Sequence, residues 1–563
     1  MRSQRLTTSL MALAIMGSAP LCAEARVRVL HGTVVAAEPD AADAGLKVLK
    51  AGGSAIDAAV AVQAVLGLEE PQSSGLGGGA FLVFYDAKSH KTTVYNGREK
   101  APATATEKLF LDAQGKPMSF VSAILSGRST GAPGAVAMLA KAHADHGRRP
   151  WASLFKDAER LADQGFVIPP RFGAAINSGY PQTKTPDATA YFTRPDGKRY
   201  AAGDTLKNPA YAAAVRRIAA NGAPGLLAGE TGREIIAHTR SGDPPGDLTL
   251  ADLAAYRPQV LEPLCRPYHG YKVCSAPPPA GGVGVLELLN LLEHTDIATR
   301  GPTDPQAWYE FAEASRLAYA DRDHFEGDPD FVKTPVDGLL DPKYGAERAA
   351  LIGALGPEAP LPGHPAGAAA SGPDATREPG GTTHFVVQDG EGNIVSMTTT
   401  VESIFGSGRM ASGFFLNNQL TDFSSPVGVD GKPAANAPGP GKRPRSSMSP
   451  VIVFDTEGHP VAAFGSPGGN SIIAYVAKVV VGWIDWKMPL QQAVDLPNVV
   501  ARRGVVSVEK GMDPAVVAYL RSKGLNVQAD AGEASGLNGF VLRDGDVVET
   551  AVDHRREAVA RRY

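Results

Sequence analysis

Between Gly353 and Gly381 the chain carries six prolines, seven glycines and a run of three alanines. Such a stretch cannot build a packed core and is expected to be mobile. It ends abruptly at Gly380-Gly381-Thr382-Thr383-His384. Beyond it, Phe385-Val386-Val387 and Ile394-Val395-Ser396-Met397 read as two strands around the loop Asp389-Gly390-Glu391-Gly392-Asn393. With that loop as the turn, the numbers of facing residues sum to 782, which sets Thr382 opposite Thr400. Two threonines thus meet where a flexible tether runs into a rigid sheet.

The remaining sequence can supply a large mixed core. Positions 41–51 and 54–66 are alanine-rich helical stretches split by Gly52-Gly53, with Ser54 the expected N-cap. Phe81-Leu82-Val83-Phe84-Tyr85 reads as a buried strand. The middle third is mostly helical, for example over 133–146, 151–164 and 304–320, and the last third turns to strands of period two. Charged residues make up 20% and hydrophobic ones 43%, which excludes disorder along most of the chain. The 55 Lys+Arg nearly balance the 59 Asp+Glu, so there is no basic excess of the kind a nucleic-acid partner requires.

Residues 1–25 read as a secretory signal: Arg2 and Arg5, an apolar stretch over 10–19, and the small-x-small site Ala23-Glu24-Ala25. No later stretch reaches 18 apolar residues; 471–486 comes nearest and is broken by Lys478 and Asp485. The expectation is a periplasmic or secreted protein with no membrane span once the signal is removed. Two cysteines then remain, flanking a hairpin whose turn is His269-Gly270. That register faces Cys265 with Cys274. A disulfide suits an oxidising compartment, and two separate buried thiols are the alternative.

Several motif matches carry no chemistry. Gly75-Leu76-Gly77-Gly78-Gly79-Ala80 fits a dinucleotide fingerprint, but the helix precedes it and the strand follows, the reverse of what a pyrophosphate site requires. Tight backbone packing near a site accounts for it better. Gly127-Arg128-Ser129-Thr130-Gly131 fits a nucleophile elbow, with 120–125 as a candidate strand, yet Gly131-Ala132-Pro133-Gly134 delays the helix. Asp321, Asp323, Glu326, Asp328 and Asp330 miss the calcium-loop spacing and read as a solvated acidic turn. Lys442, Arg443 and Arg445 read as exposed surface. No metal and no cofactor is expected.

Thr382 is the remaining candidate. A threonine hydroxyl is a weak nucleophile that needs a base within reach. A cut before Thr382 would supply one, because an α-amino group has a pKa near ~7.7–8.0 and is partly neutral at working pH. Nucleophile and base would then share one residue, and the tether upstream would let the freed end move away. An ordinary strand start is the bland alternative.

A set of segments decides between them. Gly381-Thr382-Thr383-His384-Phe385-Val386-Val387, the stretch Leu416 to Ser424, the stretch Lys442 to Pro450, and Gly465-Ser466-Pro467-Gly468-Gly469 together resemble the gamma-glutamyltransferase family of N-terminal nucleophile hydrolases. Ser73 to Gly79, Gly97-Arg98-Glu99 and Ala318 to Arg322 resemble it as well, in the family's order. The resemblance implies an α+β fold, a four-layer αββα sandwich built from two chains of one precursor. It implies autocatalytic cleavage between Gly381 and Thr382, giving a large chain 26–381, with the flexible stretch 353–381 at its end, and a small chain 382–563.

It also implies roles. Thr382 attacks a γ-glutamyl amide, Thr400 hydrogen-bonds the nucleophile, and Gly468 and Gly469 offer N–H groups to the oxyanion. Arg98, Ser446 and Ser447 match the side that takes the substrate α-carboxylate; Glu402, Gln419 and Asp422 match the side that takes its α-ammonium. His384 shares a face with Thr382 and is assigned a structural role. The implied donor is glutathione or a related γ-glutamyl compound, and the acceptor is water, an amino acid or a dipeptide. Arg445, where many members carry leucine, a short 425–441 link and a divergent C-terminal region resemble the cephalosporin acylase branch. The rival functions are therefore a glutaryl or cephalosporin acylase with the same threonine chemistry, and a processed but inactive binding protein.

Overall fold

The computed structural model describes residues 31–424, 432–532 and 534–563. The expected signal at 1–25 and part of the 425–441 link lie outside the described residues. Two antiparallel sheets stack face to face between helical layers, which is the expected αββα sandwich.

The first sheet runs, in spatial order, Val559–Arg562, Thr33–Ala36, Thr382–Gln388, Ile394–Thr400, Gly79–Asp86, Lys91–Asn96 and Gln259–Leu261. The second runs Asp546–Val552, Asn538–Arg543, Pro460–Gly465, Val451–Phe454, Tyr271–Ser275 and Leu264–Tyr268. Strands from before and after Gly381 are neighbours in both sheets. A break at that bond would therefore leave both parts pinned by ladder hydrogen bonds on either side.

Alternation along the strands assigns the layers. Phe385 and Val387 enter a core with the helices Pro39–Lys50, Ala55–Glu69 and Ala135–His146. Val386 enters a second core with the other sheet and the helices Gly282–Leu292, Pro305–Phe325 and Ile472–Val480. Thr382 and His384, in phase with Val386, thus face the second sheet. The helix Ala55–Glu69 is buried on every side, as an alanine-rich helix between a sheet and other helices must be. Ser54 caps it in a reciprocal box with Asp57.

That helix also fixes the threonine hairpin, because the Ala55 N–H donates to Asp389 Oδ2 at 2.9 Å. Asp389 Oδ1 in turn accepts from the N–H of Asn393 at 3.0 Å, closing the turn. The register follows from this anchored turn: Gln388 faces Ile394 and Thr382 faces Thr400, as the turn count requires. The hairpin Leu264–Tyr268/Tyr271–Ser275 likewise sets Tyr268 against Tyr271 and Cys265 against Cys274, with the two sulfurs joined.

Local readings fail at a few points. Residues 120–125, a candidate strand, form the helix Phe120–Leu125, started by Ser119, whose hydroxyl accepts from the Ser122 N–H. The Trp151 to Gln164 stretch, by contrast, is helical as expected, with a 3₁₀ turn leading into the helix Lys156–Gln164. The tether 353–381 forms no helix or strand. Its last residues are nevertheless tied to the body: Asp374 pairs with Arg445 at 2.8 Å and Glu378 with Arg322 at 2.9 Å. Composition registers the missing apolar residues but not these ion pairs.

Candidate active site

Thr382 and Thr400 lie side by side at the end of their hairpin, both buried. Thr382 Oγ1 donates to Thr400 Oγ1 at 3.1 Å, and Thr400 Oγ1 donates to the Gly381 carbonyl at 2.7 Å. The Glu402 N–H donates to the same Thr400 oxygen at 2.8 Å. Glu402 holds a left-handed backbone, φ 81°, a conformation costly for a residue with a side chain and frequent at functional sites. The carbonyl of Thr382 accepts from Arg556 Nη1 at 2.7 Å, and Arg556 is paired with Glu70 at 3.0 Å.

The glycine run 75–79 packs against this pair, not against a nucleotide. A Cβ on Gly78 would lie 2.0 Å from the Thr400 carbonyl oxygen, so only glycine lets the two backbones touch. Ser129 donates its hydroxyl to Ile124 and Ser126 carbonyls and serves a loop.

Gly468 and Gly469 follow the strand Pro460–Gly465 of the second sheet, which brings them to the hairpin's open end. Both have left-handed φ, 138° and 57°. A Cβ on Gly469 would meet the carbonyl oxygens of Glu378 and Pro379 at 2.4 and 2.6 Å. The residues just before the Gly381–Thr382 bond therefore lie directly over this loop.

Arg98, Glu402, Gln419, Asp422, Ser446 and Ser447 line one small cavity with Thr382, Thr400 and Gly469. Arg98 is buried and donates to Asp422 Oδ2 at 2.6 Å and to the carbonyls of Pro444 and Arg445 at 3.0 and 2.5 Å. Gln419 Nε2 donates to the same Asp422 oxygen at 2.6 Å. The groups expected at opposite poles of an amino acid thus pair with each other here. Ser446 Oγ accepts from the Met448 N–H at 3.1 Å, and Ser447 Oγ donates to Glu378.

Two carboxylates share the buried end of this cavity. Glu402 Oε2 accepts from Asn418 and from Ser403, and the Glu402 and Asp422 carboxyl groups share a hydrogen bond with each other. Burial and the neighbouring Asp422 push the Glu402 carboxyl well above its usual range, which favours its protonated form. His384 is fully buried, bonded to Thr398 at 2.8 Å, and pushed down to about 3 by burial. Its ring stays neutral and structural.

Sequence reasoning missed a second layer of ions. Asp321, Asp323, Glu326 and Asp328 are buried, not a solvated turn. Asp321 pairs with Arg348, Glu326 with Arg322, and Asp323 with Arg445 and Arg502. Lys442, Arg443 and Arg445 are buried as well. Among the described residues no group of His, Cys, Asp or Glu could hold a metal ion. Arg322, Arg556 and Glu378 stood in segments already noted, but no local pattern assigned them partners.

The chain is similar to known proteins along nearly its whole length. The family model for gamma-glutamyltranspeptidase matches residues 41–563. The chain is 37% identical to the glutathione hydrolase proenzyme of Bacillus subtilis over 520 residues, covering 88% of this chain and 86% of that protein. It is 36% identical to the glutathione hydrolase proenzyme of Escherichia coli over 538 residues, covering 92% and 90%. The crystal structure of a cephalosporin acylase from Bacillus halodurans superimposes with a TM-score of 0.82 at 27% identity, covering 95% of this chain and 96% of that one.

Proposed function

The chain belongs to the gamma-glutamyltranspeptidase family, and we propose that it is a self-processing threonine hydrolase that cleaves γ-glutamyl amide bonds, glutathione among them. Cleavage divides it into 26–381 and 382–563. Thr382 Oγ attacks the Gly381 carbonyl carbon, the Gly381–Thr382 C–N bond breaks, and the hydroxyl proton passes to the departing amine. Water then hydrolyses the ester, leaving a carboxylate on Gly381 and a free hydroxyl on Thr382. The chain of hydrogen bonds from Thr382 through Thr400 to the Gly381 carbonyl supports this step, because it polarises the bond to be cut.

In the cut enzyme the Thr382 amine takes the hydroxyl proton as Oγ attacks the γ-carbonyl, and returns it to the leaving amine. Gly468 and Gly469 N–H groups stabilise the oxyanion. Water, or the amine of an amino acid or dipeptide, then resolves the γ-glutamyl ester on Thr382. The α-carboxylate engages Arg98, Ser446 and Ser447, and the α-ammonium enters between Glu402, Gln419 and Asp422.

One observation carries the choice of acyl group. Beside the nucleophile, two buried carboxyl groups, Glu402 and Asp422, have only a shared hydrogen bond between them and Gln419 Oε1 accepts none, and an ammonium brings three donors and a positive charge to that spot. The likeness to a cephalosporin acylase structure favours a second reading, an acylase for glutaryl-type side chains. No helix of the described residues is long and apolar enough to cross a membrane. The signal-like start is what supports a periplasmic or secreted enzyme. The test is purified protein offered γ-glutamyl and glutaryl anilides side by side, with and without a dipeptide, against Thr382→Ala. We expect two chains and γ-glutamyl preference for the parent, and one inert chain for the variant. Two bands from the variant would refute the mechanism.

A further inference from the structure

Glu378 stands four residues before Thr382, and its side chain does what no tether residue needs to do. Its carboxylate is buried and gripped from three directions. Arg322 donates from Nη1 and Nη2 to its two oxygens at 2.9 and 3.1 Å, Arg445 Nη2 donates at 3.1 Å, and Ser447 Oγ donates to Oε2. The backbone is fixed as firmly. Glu378 is held at φ 48°, its carbonyl accepts from the Asn470 N–H at 3.0 Å, and Asn470 Nδ2 donates to the Arg377 carbonyl at 2.7 Å. A short tight link, Pro379-Gly380-Gly381, then delivers the scissile carbonyl to Thr400.

The same residue fills the pocket. With Glu378 and Pro379 in its wall, the cavity beside Thr382 has a free volume of about 20 Å³. That is room for about one water, not for a glutamyl group. Ser447, expected to receive a substrate carboxylate, already holds one supplied by the chain itself.

We propose that Glu378 is the positioning residue of self-cleavage: its carboxylate occupies the Ser447 cradle with Arg322 and Arg445, fixes the Gly381–Thr382 bond against Thr400, and excludes substrate until the cut. This rests on the cleavage reading above and deepens it. A bidentate arginine contact fixes both oxygens in a plane, so the anchor sets orientation as well as distance. Once the bond is broken, the link is free at its end, and Glu378 leaves the cradle to an incoming carboxylate. Arg322 and Arg445 then become anion partners for that carboxylate alongside Ser447.

The test has two arms. In the first, the full chain carrying Glu378→Gln, which keeps shape without charge, and Glu378→Asp, which keeps charge, is followed on denaturing gels from synthesis. We expect cleavage at least tenfold slower for Gln, with part of the rate restored by Asp. In the second, uncut Thr382→Ala and uncut Thr382→Ala/Glu378→Ala chains are titrated with L-glutamate by thermal shift. The single variant should show no shift at millimolar glutamate, and the double variant should be stabilised because its cradle is empty. Normal cleavage of the Gln variant, or identical glutamate responses in the second arm, would overturn the proposal. A parent chain that stays in one piece would instead sink the cleavage reading itself.

Discussion

Thr400→Val isolates the hydrogen bond to the Gly381 carbonyl on which the proposed self-cleavage relies. Valine keeps the branched shape, so the strand pairing with Thr382 survives, but the donor 2.7 Å from the Gly381 carbonyl is gone. Attack on that carbonyl places negative charge on this oxygen. Removing one preorganised donor at such a position costs about 2.7–4 kcal/mol, or roughly 10²- to 10³-fold in rate. A separate cost falls on stability, because Val leaves the Glu402 N–H, now 2.8 Å from Thr400 Oγ1, without its acceptor. A buried orphan of this kind costs about 1–3 kcal/mol. The assay is the fraction of chain left uncut at Gly381–Thr382 against time on denaturing gels, at a temperature where circular dichroism shows the variant folded. Thr400→Ser keeps the hydroxyl and serves as the control, with less than tenfold slowing expected. A folded Val variant that cuts within threefold of the parent rate would refute the reasoning.

Arg98→Lys should raise the KM for γ-glutamyl anilide about ten- to a hundredfold, since a point charge cannot replace a fork that already meets Asp422 and two carbonyls; unchanged steady-state kinetics would contradict this. Burial and Asp422 raise the Glu402 carboxyl well above its usual range, so an incoming ammonium should favour loss of its proton, and affinity for L-glutamate should rise with pH. Calorimetry on cut enzyme in buffers of different ionisation enthalpy measures this, and no net proton release would refute it. His384 titrates at about 3 in the fold against ~6.5 unfolded, so only the unfolded chain takes up a proton between those values. Stability should therefore fall with pH below about 6.5, by about 2 kcal/mol at pH 5, and His384→Gln should flatten the fall in melting temperature.

Much of the local structure is legible because its causes are local. Ser54 and Asp57 start a helix wherever they stand, and a five-residue turn with period-two flanks fixes which threonines face each other. Strand order has no such signature: Thr33–Ala36 pairs with Val559–Arg562 across nearly the whole chain, and neither segment states its partner. Charge is the least legible property. Asp323 looks solvated beside its acidic neighbours, yet its partners Arg445 and Arg502 arrive from segments more than a hundred residues away. Counting charges along the sequence cannot reveal pairs made only by folding. The glycines at 468 and 469 and the Arg98 cradle became candidates only through resemblance, since single glycines and arginines carry no chemistry by themselves.

The fold leaves the acyl group open, because the same sandwich serves a cephalosporin acylase, and the ammonium corner is what separates the two readings. The Glu402 and Asp422 carboxyls share a hydrogen bond, which requires a proton on one of them. A glutaryl chain would bring methylene hydrogens to this corner and leave that proton in place, gaining nothing. A glutamyl ammonium would exchange the proton for charge-assisted hydrogen bonds, each contributing about 1.5–3 kcal/mol. Two such bonds favour γ-glutamyl over glutaryl by roughly 10²- to 10⁴-fold. Burial raises the Asp422 carboxyl above its usual range, and Arg98, paired with it at 2.6 Å, works against that rise and favours the charged form the ammonium needs. An acylase without need of the ammonium would have no reason to bury two carboxylates and an arginine against its nucleophile, where each costs desolvation until a zwitterion completes the set.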